Sequence, residues 1–96
     1  MSLELRFIIL TFRSTQAVLD AESQLGMLGF TSEFIAVPGE IDSSCGFCLR
    51  LPAAASLRED GTFQAALQGV EKEAMWRLFE GSSWRERRYE RIDQAD

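Results

Sequence analysis

One stretch near the N-terminus, Leu5-Arg6-Phe7-Ile8-Ile9-Leu10-Thr11-Phe12, constrains the fold more than any other part of the chain. It is apolar on both alternating sets: Leu5, Phe7 and Ile9 on one, Ile8, Leu10 and Phe12 on the other. Successive side chains of a strand point to opposite faces. A strand apolar on both therefore belongs at the centre of a sheet, covered on both sides. The run from Phe7 to Phe12 is too short to span a membrane. Glu4 and Arg6 precede it, without the basic start and small-residue cleavage site of a secretory signal. The cytoplasm is the expected compartment.

Downstream segments alternate between helical and strand periodicity. Ser14 and Thr15 are N-cap candidates, because their side-chain oxygens can accept from unpaired first-turn amides. A helix is predicted over residues 16–28, with Ala17, Val18, Ala21, Leu25 and Leu28 spaced by threes and fours and Gly29 as the stop. A second strand follows over 31–37 and ends at Pro38-Gly39. Residues 40–44 read as a loop, and a third strand over 47–51 ends at Pro52. Residues 53–60 form a connection in which Ser56 and Glu59 resemble a capping pair. A second long helix is predicted over 62–79, burying Phe63, Leu67, Val70, Ala74 and Leu78. Gly81-Ser82-Ser83 breaks it, a last strand covers 84–92, and a polar, frayed tail begins at about 93.

The order is β-α-β-β-α-β in a single domain, residues 1–96. The expected class is α+β, a ferredoxin-like fold with an antiparallel four-stranded sheet and two helices on one face. Right-handed crossovers place the third strand between the first and second. The exit of the first strand, the start of the first helix and the loop before the third strand then meet at one end of the sheet. Helices on one face only would leave Ile8, Leu10 and Phe12, or their alternates, open, and a partner chain in a homodimer or the C-terminal segment could cover them.

Composition narrows the function classes. The 96 residues are 46% hydrophobic and 26% charged, which excludes an intrinsically disordered chain. The net charge of −5 disfavours a nucleic-acid partner. Between Arg77 and Ile92 five arginines meet three glutamates, a local +2. Trp84 and Tyr89 among those arginines have the aromatic and basic interleaving of an RNA-binding strand, but the alternating Glu86 and Glu90 favour a solvated strand with cross-strand ion pairs. The chain has no histidine, which removes the commonest general base and metal ligand and excludes a Ser-His-Asp hydrolase. Neither a metal site nor a resident cofactor is expected.

The remaining chemistry lies at Cys45 and Cys48. In a reducing compartment both are expected as free thiols. The C-x-x-C spelling runs into a strand, whereas the redox motif belongs at a helix N-terminus, and strand alternation sends the two thiols to opposite faces unless the strand begins after Cys45. Cys45 should lie near the positive end of the first helix, where a thiolate is favoured. Arg13 and Arg50 are the nearest candidate cations, Ser43 and Ser44 can donate hydrogen bonds, and Gly46 leaves backbone N–H groups open to approach. Glu40 and Asp42 would oppose ionisation if they pointed inward. The competing reading makes Cys45 a small packing residue, the usual fate of an unpaired cysteine.

The strings Thr11-Phe12-Arg13-Ser14-Thr15 and Val37-Pro38-Gly39-Glu40-Ile41-Asp42-Ser43-Ser44-Cys45-Gly46-Phe47-Cys48-Leu49-Arg50 resemble a family of small bacterial domains described as selenium/sulfur carrier-like. Its members share an F-x-S-T turn and a V-P-x-x-I-S-S-S-C-G-x-x-L-R loop, and the resemblance covers roughly residues 6–51. Asp42 stands where the loop usually has serine, Cys48 where it has a small residue, and the second helix is longer than is usual. The resemblance implies a cytoplasmic carrier, not a complete enzyme, whose Cys45 holds sulfur or selenium as a transient persulfide or selenopersulfide. Ser43, Ser44, Gly46, Ser14, Thr15, Arg13 and Arg50 would bind the terminal atom, and the partners would be donor and acceptor proteins. The alternative is a regulatory module that binds a small ligand or a protein and uses Cys45 only structurally.

Overall fold

A computed structural model of the chain describes residues 3–56, 61–83 and 85–92. Its elements are β1 (Glu4–Thr11), α1 (Thr15–Met27), β2 (Glu33–Ala36), β3 (Phe47–Pro52), α2 (Ala53–Ser56), α3 (Thr62–Gln68), β4 (Ala74–Glu80) and β5 (Arg87–Ile92). The strands form one sheet in the order β2-β3-β1-β4-β5, with every neighbouring pair antiparallel. β1 is central, as its two apolar faces require, and β3 lies between β1 and β2. The α+β class holds, but the sheet has five strands rather than the four expected.

The fifth strand comes from the segment read as the second half of a long helix. α3 stops at Gln68, and Gly69 caps it through its own N–H. The next strand, Ala-Met-Trp-Arg-Leu-Phe-Glu, pairs with β1 from Thr11↔Ala74 to Glu4↔Glu80 across one irregularity between Leu5 and Phe7. Helical spacing continues through Ala74 and Leu78, but the competing force is tertiary. β1 is buried, and its backbone groups need partners along both edges. β3 satisfies one edge and β4 the other. Trp76 and Phe79 are also good strand residues. The predicted last strand survives as β5, which forms a hairpin with β4. Trp84, Glu59 of the predicted capping pair and the tail from residue 93 onward lie outside the described residues.

The first helix matches its sequence signals. Ser14 is the N-cap and accepts from the Ala17 amide at 3.1 Å. At the other end the Phe30 amide donates to Leu25 O at 2.9 Å and the Gly29 amide to Gly26 O at 3.1 Å. This is a Schellman cap. Gly29 takes φ +88, where a side chain would be strained.

The two faces of the sheet carry two cores. On the helix side, Ile8 and Leu10 of β1 and Phe12 just after it pack with Val18, Ala21 and Leu25 of α1, and with Leu49, Leu51, Phe63 and Leu67. The opposite face, expected to need a partner chain or the C-terminal segment as cover, is covered within the chain, in part by Tyr89 of β5. Ile9, Cys48 and Leu78 are buried there beneath Ile41, with Phe7, Ile35, Val37, Trp76 and Tyr89 half-buried around them. The loop between β2 and β3 supplies the plug, Ile41, at 5% exposure. β5 helps hold it: Arg87 pairs with Glu40 of that loop at 2.9 Å. An uncovered face is therefore no longer an argument for a homodimer. The expected cross-strand ion pairing is present, Arg77 of β4 with Glu90 of β5 at 3.0 Å. No helix among the described residues is long and apolar enough to cross a membrane.

Candidate functional site

The loop from Val37 to Gly46 crosses the end of the sheet where β1 leaves and α1 begins. Two local bonds shape it: the Val37 amide donates to Gly46 O at 3.0 Å, and the Ile41 amide to Pro38 O at 3.0 Å. Ile41 anchors one arm in the second core. Ser43, Ser44 and Cys45 form the other arm, which turns towards the helix-side core.

Cys45 is 8% exposed and packs with the helix-side core. Its Sγ lies 3.6 Å from Oγ1 of Thr15, the first residue of α1. The thiol therefore sits against the first turn of that helix, as the topology predicts. The positive end of the helix dipole and its unpaired amides favour an anion there. Ser14 Oγ takes the Ala17 amide and Ser14 O the Val18 amide at 3.2 Å. Among the described residues, the Thr15 and Gln16 amides remain as first-turn donors.

Cys48 has a different environment. It is fully buried on the other face of the sheet with Ile9, Ile41 and Leu78, and its Sγ lies 3.9 Å from Ala36 O. Burial pushes its pKa up to about 11, against a smaller opposing pull from Arg50. Both cysteines are free. They pack in separate cores, Cys45 on the helix side and Cys48 on the other face, an arrangement that does not favour a C-x-x-C redox dithiol.

The other predicted site residues divide into those that meet at Cys45 and those that do not. Thr15, Ser43 and Ser44 gather around it, and exposed Gly46 follows it directly. Arg13 is exposed and helps hold the Glu73 carboxyl low. Arg50 is on the opposite face, where it forks onto Glu33 at 3.0 and 3.1 Å and lies 4.3 Å from the centre of the Phe7 ring. Glu40 is committed to Arg87, and Asp42 is exposed. Among the described residues, no group of three or more Cys, Asp or Glu side chains is placed to hold a metal ion.

Glu73 is the residue that sequence reasoning missed. The predicted helix placed it mid-helix, whereas it sits just before β4, its amide bonded to Thr11 O at 2.7 Å. Its carboxylate accepts from Ser43 Oγ at 3.0 Å, from the Ser44 amide at 3.2 and 3.3 Å, and from Ser44 Oγ. The Ser44 hydroxyl, then the Ser44 amide, the Ser43 hydroxyl and nearby Arg13 hold this carboxyl below the usual carboxylate range, against partial desolvation. Ser43 Oγ in turn accepts from the Cys45 amide at 3.3 Å and lies 3.4 Å from Phe12 O. The two serine hydroxyls are thus oriented by a carboxylate rather than by the sulfur. A cleft of about 360 Å³ opens beside them, lined by Asp42, Ser43, Ser44, Glu73, Ala74 and Arg91.

A family model described as "Putative Se/S carrier protein-like" matches residues 7–75, a span that contains most of the first strand, the thiol loop and Glu73. No curated protein and no solved structure matches the chain.

Proposed function

Because the chain belongs to the Se/S carrier protein-like family, we propose that it carries sulfur or selenium as a persulfide or selenopersulfide on Cys45. The observation that carries this reading is the contact between Cys45 Sγ and Thr15 at the first turn of α1. The Cys45 thiolate attacks the outer sulfur of a donor persulfide. A Cys45 S–S bond forms, the donor's S–S bond breaks, and the donor leaves as a thiolate that takes up the proton. The sulfane sulfur keeps its oxidation state, so no external oxidant or reductant is needed. Delivery is the same exchange run onto an acceptor thiol. The terminal sulfur anion would lie at the Thr15 and Gln16 amides, a helix N-terminus suited to anions. The chain's own part is to bind and stabilise the cargo; donor and acceptor proteins do the rest.

The experiment is intact-mass measurement of the reduced protein after incubation with a sulfane-sulfur donor, beside Cys45→Ser and Cys48→Ser variants. A gain of one sulfur atom that persists in Cys48→Ser and vanishes in Cys45→Ser is the expected result. No gain in any folded form refutes the carrier reading. It would favour a binding module with Cys45 as a packing residue, a reading supported by the 8% exposure of that side chain.

A further inference from the structure

We propose that Glu73 is a latch that holds the thiol loop closed over Cys45, and that releasing this carboxylate is what opens the thiol to its partners. The inference rests on the carrier reading for its purpose. Its test needs only the thiol.

A carrier thiol must meet a donor and an acceptor, yet Cys45 is nearly enclosed by its own loop and the start of α1. The loop arm that bears it is fastened at one place in particular. Glu73 receives both serine hydroxyls and the Ser44 amide, and Ser43 Oγ relays the hold to the Cys45 amide. A carboxylate, a hydroxyl and the N–H of the reactive residue therefore form one chain. The latch is set on firm backbone, because the Glu73 amide is bonded to Thr11 O of the central strand. The part it holds is lighter: Ser44 and Gly46, on either side of Cys45, are exposed, and a Cβ at Gly46 would meet nothing within 4 Å. The other arm of the loop has its own anchors, Ile41 in the second core and Glu40 on Arg87. Letting go of Glu73 would release residues 43–45, with Gly46 still tied by the Val37 amide on its carbonyl, without unseating the rest. The cleft bounded by Ser43, Ser44 and Glu73 lets solvent or a partner reach the latch directly. Hydrogen bonds to a charged group each shift an equilibrium by about tenfold or more, so losing the carboxylate should show as a change in thiol access of at least that order.

The test is the rate of iodoacetamide labelling of each cysteine in the full chain, located by peptide mass. Glu73→Gln and Glu73→Ala should speed Cys45 labelling by at least about tenfold while Cys48 stays unlabelled, and Glu73→Asp should recover part of the protection. Cys48 is the internal control, because it is buried on the other face. A parallel rise at both cysteines would mean general loosening and would overturn the latch. A Cys45 rate within about twofold of wild type in folded Glu73→Gln overturns it as well. If the Glu73 variants fail to fold, Ser44→Ala removes the exposed hydroxyl arm, and it should still raise Cys45 labelling several-fold; no rise there refutes the latch. Faster labelling without sulfur loading would uphold the latch and sink the carrier. Loading that persists without any labelling change would do the reverse.

Discussion

Replacing Ile41 by alanine tests whether the thiol loop is an integral part of the fold. Ile41 is the loop residue that closes the second core, 5% exposed above Ile9, Cys48 and Leu78. The substitution removes three buried carbons at about 0.8 kcal/mol each, roughly 2.4 kcal/mol of transfer free energy. A cavity term is added only if the surroundings cannot close in. Here they can, because Phe7, Val37, Trp76 and Tyr89 are half-buried side chains at the rim. The cost should therefore fall near the low end of the range for such truncations, about 2–3 kcal/mol. Ile9→Ala, on the central strand at 0% exposure, should cost more, about 3–5 kcal/mol. Urea unfolding followed by circular dichroism is the assay. With a slope near ~1 kcal/mol/M for a domain this small, Ile41→Ala should lower the midpoint by roughly 2 M at unchanged slope. A shift corresponding to less than about 1 kcal/mol would show that Ile41 does not close the core. The second face would then be open after all.

Three further outcomes follow from the same geometry. The Cys48 pKa is raised from its ordinary 9.0 to about 11. As pH rises through that window the unfolded chain loses this proton first, so Cys48 contributes stability below about pH 9 that is lost progressively towards pH 11; Cys48→Ala should flatten this part of the alkaline limb in unfolding midpoints, and an unchanged limb would refute the assignment. Glu73 is depressed by the Ser44 hydroxyl first of all, so its contribution is present above the unfolded carboxylate pKa and lost as pH falls through the folded one. The stability difference between wild type and Glu73→Gln should therefore shrink on acidification from about pH 7 to about pH 3, and a difference independent of pH would contradict it. Arg50→Ala should cost no more than about 1 kcal/mol, because its pair with Glu33 is largely solvated, and should leave Cys45 labelling unchanged. A large change in that rate would place Arg50 back at the thiol.

Local sequence was enough to determine several parts of this protein. β1 announces itself as central because both of its faces are apolar, and a period of two cannot hide that. The start and stop of α1 follow from Ser14 and Gly29, whose bonds and backbone angle depend on near neighbours alone. The crossover rule then brings Cys45 to the start of that helix before any coordinate is known, since handedness is a general property of such connections.

What tertiary structure alone decided is everything that turns on which distant segments satisfy one another. Residues 74–80 carry a pattern that helix and strand can both accept; the second edge of β1, with buried backbone groups to pair, made them a strand. That choice moved Glu73 to the end of the sheet and under Ser43 and Ser44, about thirty positions away in sequence. Likewise, Arg50 reads as a neighbour of Cys45 along the chain, but the pleat of β3 sends it to the opposite face, onto Glu33 and Phe7. Short-range periodicity places residues on faces. Only long-range pairing determines what those faces meet.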